Sequence, residues 1–70
     1  MRIKDVNDLG TAIKKRRKEL SYTQAFLSEV TGISASFISD LENGKETAEL
    51  GKTLFLANIL GLNISCDERK

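Results

Sequence analysis

The side chains of this 70-residue chain that can do chemistry are hydrogen-bond donors and cations rather than catalytic groups. Histidine is absent and Cys66 is the only cysteine, so a tetrahedral zinc site has no set of ligands. The carboxylates show no convergent pattern, and the chain is short for an enclosed pocket. The sequence therefore predicts a protein that is not an enzyme and needs no metal or other cofactor.

Positive charge is concentrated in one short run, "KKRRK", at residues 14–18. Residues 1–20 hold seven Lys and Arg against three Asp and Glu, whereas residues 21–70 hold four against seven. A basic run is most often a solvated helix face, and the net charge of +1 is unlike that of a non-specific DNA coat. We expect long-range attraction more than specific contacts from Lys14, Lys15, Arg16 and Lys18.

Helices must position these side chains, because apolar residues recur at helical spacing along most of the chain. Four helices are predicted: residues 7–20, "TQAFLSEV", a third that begins at Ser34, and residues 48–60. Their N-caps are Asp5 or Asn7, Thr23, Ser34 and Thr47, and their ends fall at Gly32, Asn43-Gly44 and Gly61. Core positions are predicted for Leu27, Val30, Ile33, Ile38 and Leu41. Gly10 inside the first helix indicates close packing there, since it costs about 1 kcal/mol relative to alanine.

The fourth helix, within "ELGKTLFLANILGL", is apolar on more than one face. One stripe holds Leu50, Leu54 and Ala57, a second holds Phe55, Ile59 and Leu62, and Leu56 and Leu60 fill part of the remainder. Such a helix must be covered on more than one face, and a 70-residue chain has little other structure to do so. The pattern favours a homodimer over an oversized core, with the contact on Phe55, Leu56, Ile59, Leu62 and Ile64.

Both ends of the chain alternate with the period of a short strand. Leu62, Ile64 and Cys66 alternate with polar residues, and so do Met1 and Ile3. We therefore predict terminal strands that pair within the chain or with a two-fold mate.

Two short helices joined by a tight "TGIS" turn have the spacing of a helix-turn-helix. Gly32 lies in the turn, a buried aliphatic follows at Ile33, and Leu27, Ile38 and Leu41 are placed to hold the helices near a right angle. The stretch "IKKRRKELSYTQAFLSEVTGISASFISDLENGK" resembles the Cro/phage-repressor (xenobiotic-response-element type) family. The matching positions are Arg17, Thr23-Gln24, Leu27, Gly32-Ile33-Ser34, Ile38-Ser39 and Glu42-Asn43-Gly44.

The continuation "GKETAELGKTLFLANILGLNIS" resembles the antitoxin subunits of HipA-type kinase toxin–antitoxin modules. The resemblance implies an all-α, compact, lambda-repressor-like fold of four helices, or five with short turns, with terminal strands used in dimerisation. Residues 1–70 would form one domain, with the helix-turn-helix at 23–43 and the dimerisation helix and strand at 47–66. Two positions depart from the family pattern. Ser28 replaces the usual alanine, and Phe26 replaces a polar residue, either for a protein contact or for partial burial against the first helix.

The resemblance also assigns roles to individual residues. Gln24, where helix amides and the helix dipole favour an anion, would contact a phosphate; the alternative is a solvated glutamine. Independently of the resemblance, the place of Asn43 and Lys45 in the loop after the third helix suits phosphate binding on the other side of the groove; the alternative for Lys45 is a free surface lysine. Arg17 and Glu42 would form a structural ion pair that braces the first helix against the third. Arg17 could serve a phosphate at the same time.

In this fold the third helix enters the major groove of DNA. The remaining DNA-facing candidates are Thr23, Ser34, Ala35, Ser36, Phe37 and Ser39. Ser36 can bond any base edge, and Ala35 and Phe37 can touch a thymine methyl, but no Arg, Gln or Asn is placed to bind a base bidentately. Specificity should therefore depend on half-site spacing and on DNA shape.

The favoured hypothesis is a sequence-specific DNA-binding transcriptional repressor that acts as a homodimer on double-stranded operator DNA. The resemblance implies the antitoxin of a type II toxin–antitoxin operon, which autoregulates its promoter and neutralises a HipA-type kinase toxin. The alternatives are a stand-alone phage-type or metabolic repressor, and a helical protein-interaction module that does not bind DNA. The single cysteine and the absence of a membrane-spanning run predict a cytoplasmic protein, nucleoid-associated when bound to DNA.

Overall fold

A computed structural model of the chain describes residues 2–46 and 49–69, which contain four α-helices. Helix α1 spans Val6–Glu19, α2 spans Gln24–Thr31, α3 spans Ala35–Glu42 and α4 spans Leu50–Ile59. The predicted all-α, four-helix fold is confirmed. Thr47 lies outside the described residues, and the N-cap of α4 is Glu49, whose side chain makes no capping hydrogen bond. None of the four helices is long and apolar enough to cross a membrane.

Side-chain caps begin the first three helices. Asp5, rather than Asn7, caps α1, because its carboxylate accepts a hydrogen bond from the Asp8 amide at 2.8 Å. Thr23 and Ser34 cap α2 and α3 with hydroxyls that accept from backbone amides at 3.0 and 3.1 Å. Gly32 ends α2 with a φ of +74°, a left-handed conformation that favours glycine. These caps fix the length of the α2–turn–α3 unit.

One apolar core joins the four helices. Its buried members are Ile13, Leu27, Ile33, Ile38, Leu41, Leu56 and Leu60. At Gly10 the backbone of α1 lies directly against α3, since an added Cβ would collide with the carbonyl oxygen of Leu41. The close packing predicted at Gly10 is therefore confirmed.

The prediction that Val30 faces the core is wrong, since 55% of its surface is exposed. The inward stripe of α2 instead contains Leu27 with the half-buried polar residues Gln24, Ser28 and Thr31. The Thr31 hydroxyl donates to the Leu27 carbonyl at 2.7 Å and accepts from the Ile33 amide at 3.2 Å. Those local bonds let a polar side chain occupy a place that periodicity would give to valine.

The predicted terminal strands are also wrong for the described residues. Residues 2–4 and 62–69 contain no strand, and Met1 lies outside the described part of the chain. Residues of both segments instead line one open cleft, Ile3 and Ile64 among them. Alternation alone does not make a strand, because each strand needs a neighbour to satisfy its backbone.

Candidate nucleic-acid interface

A buried ion pair holds the helix-turn-helix in place. Arg17 of α1 donates from Nε to Glu42 Oε2 at 2.7 Å and from Nη2 to Oε1 at 3.0 Å, a two-point contact. Nη1 of Arg17 donates to the Tyr22 carbonyl at 2.8 Å. The two side chains are only 9% and 2% exposed. The pair therefore ties α1, the α1–α2 turn and the end of α3 together, and leaves little of Arg17 to meet a phosphate.

The electrostatics of the pair keep both members charged. Burial alone would raise the pKa of the Glu42 carboxyl, but hydrogen bonds from Arg17 and Gln24 and the positive charges of Arg17 and Lys14 outweigh it and lower that pKa. The hydrogen bond to Glu42 raises the pKa of Arg17 further. A buried charge is tolerated only when it is paired and hydrogen-bonded, and here both conditions are met.

Gln24 is attached to the same carboxylate, a contact that the sequence analysis missed. Its Nε2 donates to Glu42 Oε1 at 3.1 Å, and the side chain is half-buried. One N–H and the carbonyl oxygen of the amide remain for a partner. The bond brings the N-terminus of α2 beside the end of α3. Two segments predicted to contact phosphates on opposite sides of the groove are therefore neighbours in the structure.

The loop after α3 carries the second set of predicted phosphate contacts. Asn43 is exposed and forms the C-cap of α3. Gly44 has a φ of +82°, and a Cβ added there would collide with the side chain of Asn7, so that the loop passes close to α1. Lys45 makes an exposed ion pair with Asp40 at 3.3 Å, and such a pair is weak enough for a phosphate to replace.

The N-terminal turn of α3 presents small side chains to solvent. Ala35 and Ser36 are exposed, and Ser39 is half-buried one turn further on. The Ser34 hydroxyl already accepts the capping bond but keeps its own hydrogen to donate. Eight residues make α3 about 12 Å long, which is similar to the width of the major groove of B-DNA.

Phe37 occupies a different environment from its neighbours at the start of α3. Its ring packs against the apolar core, and Nζ of Lys52 lies 5.4 Å from the ring centroid. The residue therefore connects α3 to α4, and only part of its ring remains for a thymine methyl.

Helix α4 presents a second surface that is apolar. Thr53, Leu56 and Leu60 are buried, whereas Phe55 and Ile59 lie one turn apart on the opposite side and are each 46% exposed. We call Phe55 and Ile59 the outer face of α4. Leu56 is wrongly predicted as a dimer contact, since it is fully buried within the chain, and Leu62 is partly buried against the core.

Helix α2 also exposes two large apolar residues. Phe26 keeps 43% of its surface exposed and packs against Tyr22, with ring centroids 4.9 Å apart. Val30 is exposed one turn further along. Phe26 is therefore only partly buried at the α1–α2 turn.

Arg16 does not fit the expectation of long-range attraction alone. Its Nε donates to the Leu60 carbonyl at 2.8 Å, so it joins α1 to the end of α4. The pattern "KKRRK" does not distinguish Arg16 from the solvated residues beside it, because the partner of Arg16 is a backbone atom 44 residues away.

Comparisons with known proteins agree with this geometry. A helix-turn-helix family profile, HTH_3, matches residues 13–65. The HTH-type transcriptional regulator y4mF of Sinorhizobium fredii is 43% identical over 63 residues, which cover 90% of this chain and 83% of that protein. The ImmF control region 10 kDa protein of Bacillus phage phi105 is 36% identical over 63 residues, covering 86% and 69% respectively.

Two solved structures are similar over the whole chain. The HipB–O4 20mer complex has a TM-score of 0.87 at 26% identity and the HipA–HipB–O2–O3 complex a TM-score of 0.85 at 28% identity. Each match covers 100% of this chain and 99% of the other. The family profile covers most of the chain, including α2, the turn at Gly32 and α3. The chain thus belongs to the helix-turn-helix family of Cro/phage-repressor type, and it is a DNA-binding transcriptional regulator, structurally similar to HipB, rather than an enzyme.

Proposed function

We propose that the protein is a dimeric repressor of a palindromic operator whose half-sites lie about one helical turn, or ~34 Å, apart. One observation carries the proposal. The Gln24–Glu42 hydrogen bond places the start of α2 beside the loop after α3, while small exposed side chains occupy the other end of α3. This arrangement suits two backbone contacts at one end of a recognition helix and base edges at the other.

The proposed contacts divide into two groups. Phosphates would be bound by the α2 N-terminus and the loop after α3, at Thr23, Gln24, Asn43 and Lys45. Base edges would meet Ser34, Ala35, Ser36 and Ser39, with the open part of Phe37 beside them. Because none of the base-facing side chains can make a bidentate contact, DNA shape and the distance between half-sites would supply most of the specificity.

A second copy of this chain would cover the outer face of α4. Phe55 and Ile59 are exposed and lie opposite the buried side of their helix. An exposed apolar face on a folded chain is a candidate protein–protein interface. A palindromic operator requires a two-fold axis that places the two α3 helices on the same side of the dimer.

The finer proposal is an antitoxin that represses its own operon and neutralises a HipA-type kinase toxin. It is supported by the full-length similarity to HipB, which is assembled with HipA in one of the solved structures. A stand-alone phage-type repressor is the second candidate, and the similarity to the phage control region protein favours it. Co-purification with the product of an adjacent kinase-like gene would separate the two candidates, since a stand-alone repressor would retain no such partner.

The DNA-binding proposal is tested by measuring affinity for the protein's own promoter fragment across a series of salt concentrations. The logarithm of the binding constant should fall by about 0.9 per phosphate contacted for each decade of salt. A shuffled fragment of the same length serves as the control. Lys45→Ala should reduce the slope by about one contact. A slope near zero would rule out the proposed phosphate contacts.

A further inference from the structure

We infer that Arg16 is a positioning residue that fixes α4 on α1 and thereby sets the half-site spacing that the dimer prefers. The inference rests on the proposed DNA-binding dimer and goes beyond it, because it assigns the choice of spacing to a side chain that touches neither DNA nor the second copy.

The contact has the chemistry of a helix C-cap. Leu60 is the C-cap residue of α4, and its carbonyl accepts from Arg16 Nε at 2.8 Å in a partly buried site. The last four carbonyls of an α-helix lack partners within the helix and carry its partial negative charge. A guanidinium at this end satisfies a carbonyl and is attracted by the helix dipole.

The surroundings of Arg16 restrict the guanidinium further. Gly61 has a φ of +78°, and a Cβ added there would lie 3.4 Å from Arg16 Nη2, so that the guanidinium lies against this turn. On its other side, Nη1 is 3.7 Å from the Glu19 carboxylate, and the Arg16 side chain is 38% exposed. These contacts hold the Arg16 guanidinium in one place, whereas a side chain that acted only by long-range attraction would remain in solvent.

Few other contacts fix the direction of α4. Among residues 2–46 and 49–69, the Arg16–Leu60 bond is the only hydrogen bond between the segment 49–69 and the rest of the chain. The packing of Leu56, Ala57 and Leu60 in the core restrains the crossing angle of α4. The Arg16–Leu60 hydrogen bond adds a directional restraint at the C-terminal end of the helix. Lys52 over the Phe37 ring is a second polar contact, and the lysine side chain is half exposed.

The direction of α4 matters because its outer face would contact the second copy. A tilt of about 10° at that interface would move the partner's recognition helix by about 6 Å over the ~34 Å between half-sites. That displacement is nearly two base-pair steps of B-DNA, which rises about 3.4 Å per step. A residue that holds α4 in one orientation would therefore select one spacing over its neighbours.

The test uses a set of DNA fragments with identical half-sites, whose separation changes one base pair at a time around the optimum. Affinities are compared for the native chain, Arg16→Met, and Lys15→Met, which removes one exposed cation from the same helix. The native chain should prefer one spacing by about tenfold. Lys15→Met should weaken every spacing by the same factor, whereas Arg16→Met should flatten the preference or move its optimum.

Sedimentation and circular dichroism accompany the affinities, to show that each variant is a folded dimer. If Arg16→Met keeps the native spacing preference and weakens all fragments as Lys15→Met does, Arg16 is only an attracting charge and the inference is overturned. If the native chain binds no fragment at any spacing, the proposed function itself fails, which is a distinct result.

A measurement on the native protein covers the case in which Arg16→Met does not fold. The Arg16 Nε proton should exchange slowly with solvent by NMR, both in the free dimer and on the operator, because it is held by the Leu60 carbonyl. Exchange as fast as that of a free guanidinium, in either state, would contradict the inference.

Discussion

The helix-turn-helix frame (α1–α3) and helix α4 differ in how much of their apolar surface is exposed to solvent. In the frame, Ile13, Leu27 and Leu41 are fully buried, and only Phe26 and Val30 on α2 are exposed large apolar residues. Helix α4 leaves Leu50, Leu54, Phe55 and Ile59 at least partly open to solvent. The frame is therefore complete within one chain, whereas α4 retains an apolar face that a second chain could cover.

The polar contacts differ in the same way. The frame is braced by the buried pair of Arg17 and Glu42. The ion pair at the start of α4, between Lys52 and the N-cap residue Glu49, is exposed, with a distance of 3.3 Å between Nζ and the carboxylate. Exposed pairs contribute little to stability, but removing one member of a buried pair leaves an uncompensated charge. Disruption of the frame should therefore unfold the chain, whereas disruption of the outer face of α4 should dissociate the proposed dimer.

The largest expected effect is on the frame. Glu42→Ala should lower the free energy of unfolding by about 3–5 kcal/mol, because it leaves the buried Arg17 without its counter-charge. Urea denaturation measures the change. Asp40→Ala, which removes one member of the exposed pair with Lys45, is the control and should cost less than about 1 kcal/mol. Equal losses in the two variants would show that the buried pair does not brace the frame.

The next effect concerns the dimer. Ile59→Glu should raise the dimer dissociation constant about a hundredfold, because a charge would be buried at the centre of the proposed interface. Analytical ultracentrifugation measures it. Phe26→Glu is matched in exposure, at 43% against 46%, but lies on α2 and should leave the dimer intact. If both variants raise the dissociation constant equally, the outer face of α4 is not the specific dimer interface.

Acid should weaken the frame by a smaller amount. The pKa of Glu42 is lowered in the folded protein, so that, as the pH falls, the Glu42 carboxylate is protonated in the unfolded chain before it is protonated in the folded one. The Arg17–Glu42 pair therefore contributes its full stabilisation only above the ordinary carboxyl pKa. Stability should therefore fall as the pH drops below about 4.5 towards the folded value. Urea midpoints over this range measure the loss, and Glu42→Gln should remove the part due to this residue. An unchanged acid profile in Glu42→Gln would assign the loss to other carboxyls.

The smallest effect is expected at Gln24, whose side chain affects both operator affinity and stability. Gln24→Ala should weaken operator binding about tenfold and lower the free energy of unfolding by no more than about 1 kcal/mol, since it removes a phosphate donor and one hydrogen bond to Glu42. Fluorescence anisotropy and thermal melts measure the two quantities. Thr11→Ala, which trims an exposed side chain on α1, is the control. A loss of stability without a loss of affinity would make Gln24 purely structural.

Local signals made most of the fold predictable. Thr23, Gly32 and Ser34 have side chains or conformations that mark helix ends wherever they occur, so α2, α3 and their turn fall within one residue of the prediction. The partnership of Arg17 with Glu42 was available only from the family pattern, because the two residues lie 25 positions apart.

The errors have a common cause, since each depends on a neighbour that the local pattern does not contain. Val30 matches the apolar period of α2, but Thr31 and Gln24 satisfy their polar atoms against Leu27 and Glu42 and take the inward places. Leu56 belongs to neither apolar stripe of the fourth helix and is predicted as a dimer contact, but it lies on the side of α4 that meets the core. Ile64 alternates as in a strand and finds no strand beside it in the described chain.

The contact between Gly10 and the Leu41 carbonyl has a consequence for engineering. Even a methyl group at residue 10 would separate α1 from α3, and Arg17, two turns along α1, would be drawn away from Glu42. Combinatorial libraries that seek new operators can therefore randomise the exposed residues at the start of α3, while the codon for glycine at residue 10 should be kept fixed.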